Sequence, residues 1–190
     1  MTVKRLSIIF LTLLIIASAL WIFVLDTGER YPSKGGATVL EWLSMRAKEK
    51  SFPNIDQVEI DSVTQQADLA LINSRAEQPR ATWIGHATML VQYQGVNFLT
   101  DPHLTSYPAP VDFVAPARLV PPALSYAQLP KIDFVVISHN HYDHLDHRTV
   151  DMLGSSVTWF VPMGLKSWFL ARGIAQDKVI ELAWWQSAHF

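Results

Sequence analysis

The chain has 190 residues, with 15 basic and 17 acidic side chains and a formal net charge of −2. This length allows one domain with a hydrophobic core and is too short for two domains of ordinary size. The charge balance gives no reason to expect nucleic acid as a partner. The lack of cysteine excludes disulfides and thiolate metal sites, so any metal ion must be bound by imidazole and carboxylate groups.

The first predicted element is a membrane segment at residues 6–25, an uncharged apolar run that follows the basic residues of a cytoplasmic tip at 1–5. Twenty such residues in a helix span about 30 Å, the thickness of the hydrocarbon core of a bilayer. The positive flank predicts an anchor that places the rest of the chain on the extracytoplasmic side. The small residues at 17–19 leave open a cleaved signal peptide and a secreted domain. A buried helix of a soluble domain is the third interpretation.

Residues 26–78 are predicted to form a linker and peripheral helices. Apolar spacing favours helices at 38–50 and 61–73, the second with Asp61 as a candidate N-cap. The compact domain is predicted for residues 79–190.

Within the compact domain, strand patterns come first and then alternate with helices. Seven of the eleven prolines lie between residues 102 and 130, which predicts an extended loop there. The continuous apolar run at 132–137 predicts a strand buried on both faces. Helices are predicted at 148–153, capped by Asp146, and at 164–171. Strands are predicted at 81–84, 88–93, 96–100, 132–137, 157–161 and 179–182. This order indicates a layered α/β domain.

Residue types that bind metal ions follow the strand at 132–137 directly. Alternate side chains of an extended segment point the same way, so His139, His141 and Asp143 are expected on one side. His144 is expected at the approach to the next helix. Three imidazoles and a carboxylate favour a first-row divalent ion, zinc above all, and so short a segment divides them more naturally between two ions. The alternative is a histidine-rich surface loop that binds metal incidentally.

The spacing H-x-H-x-D-H resembles that of the metallo-β-lactamase superfamily. Flanking segments narrow the resemblance to the N-acyl-phosphatidylethanolamine-hydrolysing phospholipase D family: TWIGHAT at 82–88, LTDP at 99–102, LPKID at 129–133, ISHNHYDHLD at 137–146, WFVP at 159–162 and ELAWW at 181–185. The match is collinear from about residue 80 to residue 186. It implies a four-layer αβ/βα fold, present here in part, and a centre of two zinc ions. It also implies hydrolysis of a phosphodiester, such as an N-acyl phospholipid, by a hydroxide held on the metal ions.

The resemblance further implies which residues hold the zinc ions. His139 and His141 would bind one ion, and Asp143 and His144 would bind the other, with Asp143 also acting as the catalytic residue.

Two further residues are expected to support these ligands. Asp101 matches a position that holds a ligand imidazole in the right tautomer; a turn cap beside Pro102 is its alternative role. His86 is expected at the edge of the site, or else bonded to backbone as a structural residue. His103 and His147 are expected to be exposed polar side chains.

The family pattern contains later ligands that this sequence does not show: a third histidine, a bridging aspartate and a last histidine. His189 is the only late histidine here. This predicts a domain truncated at its C-terminus, with apolar surface open on one face of its sheet. A non-catalytic membrane-anchored fragment and another hydrolase of the superfamily (thioesterase, lactamase or nuclease) stay as alternative functions.

Overall fold

The computed structural model describes residues 56–108 and 117–190. The membrane segment predicted at 6–25, the linker and the helix predicted at 38–50 lie outside these residues. The described part contains helices α1 (Gln57–Val63), α2 (Leu69–Asn73), α3 (His147–Leu153) and α4 (Lys166–Ala171) and strands β1 (Arg80–Gly85), β2 (Thr88–Tyr93), β3 (Val96–Thr100), β4 (Phe134–Val136), β5 (Thr158–Pro162) and β6 (Val179–Leu182). The strands predicted from the sequence are therefore confirmed, as are the two helices that follow β4 and β5.

The six strands form one mixed sheet in chain order. β1 pairs with β2 and β2 with β3 in antiparallel fashion, whereas β4, β5 and β6 each run parallel to the strand before them. It follows that β1, β3 and β4 all point in the same direction. The chain leaves these three strands at one edge of the sheet, which is the edge where open α/β sheets bind their ligands.

One face of the sheet is closed by an apolar core that includes residues of α3 and α4. Trp159 of β5 and Phe169 of α4 are both fully buried, with ring centroids 5.1 Å apart. The indole N–H of Trp159 donates to the carbonyl of Gly154 at 2.9 Å, so its polar group is satisfied. This packing holds β5 against α4 on the core side of the sheet.

The other face carries a row of aromatic rings that crosses β3, β4 and β5. Phe98 stacks on Phe134 at 4.5 Å, and Phe134 meets Phe160 edge-on at 5.4 Å. On the same face Val136 is 37% exposed, whereas Val135, which faces the core, is fully buried. The prediction that β4 is buried on both faces is therefore wrong. A strand sends alternate side chains to opposite faces, and in the described residues the core covers one of them.

Two short helices replace the single helix predicted at 61–73. α1 begins after Asp56, which forms a capping box with Glu59, and α2 begins after Asp68, whose carboxylate accepts the N–H of Leu71 at 2.9 Å. Asp61 lies within α1, so its predicted role as an N-cap is wrong. Each of the two capping aspartates satisfies N–H groups that have no partner within a helix, which sets a separate start for each helix.

No helix in residues 56–108 and 117–190 is long and apolar enough to cross a membrane. The longest of them, α1 and α3, have seven residues each, or about 10 Å at 1.5 Å per residue. This finding contradicts the predicted membrane-anchored, extracytoplasmic localisation for the part of the chain that the structure describes.

Candidate metal centre

The segment after β4 gathers three imidazole rings into one cluster. The ring centroid of His139 lies 4.5 Å from that of His141 and 4.0 Å from that of His144. A turn at residues 142–144 produces this cluster, because the N–H groups of His144 and Leu145 both donate to the carbonyl of His141, at 3.0 and 2.7 Å. The turn folds the last histidine back over the first.

The Asp143 carboxylate contacts two imidazoles that come from different parts of the sequence. Its Oδ2 atom lies 2.9 Å from Nε2 of His86 and 3.7 Å from Nε2 of His144. One ligand atom from each of these three residues lies within 4.8 Å of the others. His86 follows β1, which runs in the direction of β4, and the topology therefore brings it to the same edge. Two imidazoles and a carboxylate so placed suit a divalent metal ion.

Asp101 lies beneath the imidazoles, at the end of β3, and is only 7% exposed. Its carboxylate accepts hydrogen bonds from the N–H and the hydroxyl of Ser138, each at 2.7 Å, and lies 3.0 Å from Nδ1 of His144. Because a carboxylate only accepts, Nδ1 of His144 carries a proton, and in the neutral form of the ring Nε2 then has the lone pair. Asp101 thus lies where the sequence motif predicts it, and its role toward a metal stays a prediction.

Ser138 links the same carboxylate to a second imidazole. Its single hydroxyl proton is donated to Asp101, so its oxygen accepts from Nδ1 of His139 at 2.8 Å. His139 then presents the lone pair of Nε2. One buried carboxylate therefore sets the tautomer of His144 directly and that of His139 through a hydroxyl. The sequence signal for this relay is a serine just before the first histidine, together with an aspartate at the end of the neighbouring parallel strand.

Electrostatics favour the neutral form of His139. Burial lowers its pKa below the ordinary value, and His144 and His141 lower it further, against the opposing effect of Asp101 and Asp143. Metal ions bind neutral imidazole in competition with protons. A lowered pKa of His139 favours the neutral imidazole, which is the form that binds metal ions.

The predicted exposure of His103 is wrong, because the proline-rich loop turns inward at this residue. His103 is 2% exposed, and burial is the main cause that lowers its pKa. The backbone N–H of His103 donates to the hydroxyl of Thr88 at 3.0 Å, and the backbone N–H of Leu104 donates to the hydroxyl of Thr149 at 3.1 Å. These two buried hydroxyls give the loop backbone its partners away from water. His147 is half-buried.

Replacing Ser138 with Ala is expected to lower the affinity for added Zn²⁺ by about 10-fold, because His139 loses the acceptor that fixes its tautomer. Competition with a chromophoric chelator measures the affinity, and the ¹⁵N chemical shifts of His139 report its tautomer. Ser138→Thr keeps the hydroxyl and is the matched control, which should restore both values. Unchanged affinity and tautomer in the Ala variant would contradict the relay.

The model of the beta-lactamase superfamily domain matches residues 96–190, which is half of the chain. The matched region contains Asp101 and the whole segment from Ser138 to His144. The chain belongs to the beta-lactamase superfamily. The resemblance stated from its motifs is confirmed. The α/β fold, with its six-stranded mixed sheet, is consistent with the fold of that superfamily.

Three curated relatives are similar to part of the chain. A phospholipase D of Caenorhabditis elegans, named for hydrolysing N-acyl-phosphatidylethanolamine, is 44% identical over 116 residues, which are 58% of this chain and 33% of the relative. A mitochondrial protein of the same name from Saccharomyces cerevisiae is 33% identical over 108 residues, 56% of this chain and 22% of the relative. A protein of Anaeromyxobacter named a metal-dependent hydrolase is 31% identical over 98 residues, 51% of this chain and 32% of the relative.

The chain thus spans a third or less of the length of these relatives. Their names describe whole proteins, and two of the three specify a phospholipid substrate.

Proposed function

We propose that this chain carries the metal-binding part of a zinc-dependent hydrolase that acts on phosphodiesters, with an N-acyl phospholipid as the substrate type. The observations that support this most directly are the cluster of three imidazole rings after β4 and the contacts of the Asp143 carboxylate with His86 and His144 at the same edge of the sheet. Relatives named for the hydrolysis of N-acyl-phosphatidylethanolamine support the substrate class.

The donor set fits zinc, because zinc binds imidazole and carboxylate ligands. In such sites the imidazole nitrogen that does not bind the metal is usually held by a hydrogen bond. Both His139 and His144 have that hydrogen bond at Nδ1. In the proposed centre His139 and His141 hold one ion, and Asp143 and His144 hold the other.

Bound zinc would supply two kinds of chemistry, lowering the pKa of water to about 7 and offsetting negative charge on a phosphoryl group. The residues of the chain do the rest. Asp101 and Ser138 keep protons on the Nδ1 atoms of His144 and His139, so that the Nε2 atom of each ring is left to bind a metal ion. Asp143 is the proposed catalytic residue: its side chain is 39% exposed, which lets its carboxylate accept a proton or hydrogen bond from a water that enters the site.

Removal of zinc is expected to reduce hydrolysis to the background rate. The full chain, loaded with Zn²⁺, is assayed on N-acyl-phosphatidylethanolamine in detergent micelles and on bis(p-nitrophenyl) phosphate, with and without chelator, and after zinc is added back. Activity should disappear with the chelator and return with the metal, because the water nucleophile and the phosphoryl charge both depend on it.

Equal rates with and without chelator would contradict the metal mechanism. A panel of a β-lactam, a thioester and single-stranded DNA tests the substrate class. A higher kcat/KM on any of these than on the phospholipid would assign the chain to another hydrolase of the superfamily. Absence of hydrolysis by the zinc-loaded chain on the whole panel would contradict the proposal that this part of the protein is active.

A further inference from the structure

We propose that His86 is a direct metal ligand, and that it completes a three-ligand site with Asp143 and His144 inside this chain. The motif alone predicts His86 only at the edge of the site. The inference rests on the proposed metal centre and extends it, since it gives the Asp143 and His144 pair a third ligand.

The backbone around His86 is shaped to aim its side chain at the cluster. The pairing of β1 with β2 shifts register between Trp83 and Gly85, and the two following φ angles are +136° at Gly85 and +52° at His86. A non-glycine residue with positive φ is strained, and it persists where its surroundings hold it there. Here the indole N–H of Trp83 donates to the carbonyl of His86 at 2.8 Å. Bulges of this kind re-aim side chains next to active sites.

The side chain of Arg118 lies against Gly85, next to His86. Its guanidinium donates to the carbonyls of His103 and Val120, at 2.5 and 3.2 Å. A Cβ atom at Gly85 would collide with its Nη2 atom. Glycine at this position therefore serves both the positive φ and the close approach of the guanidinium, and the two together fix the point from which the His86 side chain leaves the backbone.

The distances fit a shared ion. Zinc binds nitrogen and oxygen ligands at about 2.0–2.2 Å, so two ligand atoms on a tetrahedral ion lie about 3.3 Å apart. The Oδ2 atom of Asp143 lies 2.9 Å from Nε2 of His86 and 3.7 Å from Nε2 of His144. These values lie on either side of the tetrahedral spacing. The side chains of His86 and Asp143 are 46% and 39% exposed, which leaves them free to make the small adjustment.

The number and state of the ligands also fit. His144 donates from Nδ1 to Asp101, which leaves Nε2 for the ion. Two imidazoles and one carboxylate, with a fourth position open to water or substrate, is an arrangement used by catalytic zinc sites. The competing role for His86 is a hydrogen bond from its Nε2–H to Asp143, which would support a ligand without touching the ion.

Two substitutions separate these roles. His86→Ala removes both the ligand and the hydrogen bond, whereas the amide of His86→Gln can still donate to Asp143 and is a poor zinc ligand. A direct ligand predicts that both variants lose more than about 100-fold in affinity for Zn²⁺ at one site, beyond the range found for residues that only support a ligand. Competition titration on the full chain measures the loss.

The spectra of the Co²⁺-loaded chain distinguish a metal ligand from a residue that only supports one. With Co²⁺ bound, the visible absorption bands report the coordination number, and shifted imidazole N–H proton resonances count the histidine ligands. Both variants should lose one such resonance and change the absorption spectrum. His147→Gln is the control, since the charges that influence His147 belong to Arg172 and residues of α3 and its cap; it should match the unchanged chain.

Retained affinity in His86→Gln, with loss only in His86→Ala, would overturn the proposal in favour of the hydrogen bond. Unchanged metal binding in both variants would overturn it as well. Because these measurements use no substrate, they stand apart from the proposed hydrolysis. A chain that binds zinc through His86 and cleaves nothing would contradict the function alone.

Discussion

Zinc affinity is expected to fall by about 100-fold when Asp101 is replaced with Asn. Asn has the same shape and tolerates the positive φ of 40° found at this position. It can still accept from the N–H of Ser138, but its amide nitrogen cannot accept from the hydroxyl of Ser138 or from Nδ1 of His144. Two imidazoles thus lose the partner that fixes their tautomers. The loss of one such partner costs about 10- to 100-fold in metal affinity, so we expect the upper end.

Asp133→Asn provides the matched control for this experiment. Asp133 directly precedes β4, so it lies at the opposite end of the strand from the site, and its half-buried carboxylate accepts the N–H of Asn97 at 2.9 Å. This variant should lose some stability toward urea and keep its zinc affinity. Equal zinc affinity in Asp101→Asn and the unchanged chain, with both folded by circular dichroism, would show that the carboxylate does not position the imidazoles.

Replacing Asp146 with Ala is expected to reduce the free energy of unfolding by about 3–4 kcal/mol, which combines the loss of a helix cap with the loss of two hydrogen bonds to a charged group. Asp146 is 2% exposed. Its carboxylate accepts from the N–H of Arg148 at 3.1 Å and from the hydroxyls of Thr149 and Thr105 at 2.6 and 2.9 Å. Alanine would leave the buried hydroxyl of Thr149 without this acceptor and would remove the same acceptor from the half-buried Thr105 and Arg148. Urea denaturation followed by circular dichroism measures the change.

Asp151 on the same helix supplies the comparison for Asp146. Its side chain is 53% exposed and pairs with Arg172 at 3.4 Å. An exposed ion pair contributes less than about 1 kcal/mol, so Asp151→Ala should shift the urea midpoint only slightly. The Asp146 carboxylate joins the proline-rich loop to α3, because it accepts from Thr105 of the loop and Thr149 of the helix. A similar shift in the two variants would show that these hydrogen bonds add little to stability.

The sequence predicts the parts of the fold that depend on local pattern. Strands β1 to β6 follow from apolar and β-branched runs separated by turn residues, and Asp146 caps α3 as its position before the helix suggests. The exposure of Val136 could not be predicted, because a continuous apolar run does not say how many faces of a strand are covered. Burial of His103 was missed for a similar reason: it depends on the hydroxyls of Thr88 and Thr149, distant in sequence.

The candidate site shows the same division. The spacing of His139, His141, Asp143 and His144 is local and readable, and the structure brings the three imidazoles together. The contact of His86 with Asp143 joins residues that follow different strands, and it can be predicted only once β1 is known to run in the direction of β4. Ser138 was missed because a serine hydroxyl has many ordinary uses, and only its two hydrogen bonds reveal this one.

The common direction of β1, β3 and β4 has a consequence for how this protein folds. Residues 86, 101 and 144 meet only after the hairpins have formed and the parallel strands have docked. An ion bound where these residues meet would bind the native state and not the partly assembled ones, and it would therefore raise the free energy of unfolding. The thermal midpoint of the chain would then rise with the concentration of free metal, and chelation would loosen the arrangement of strands as well as empty the site.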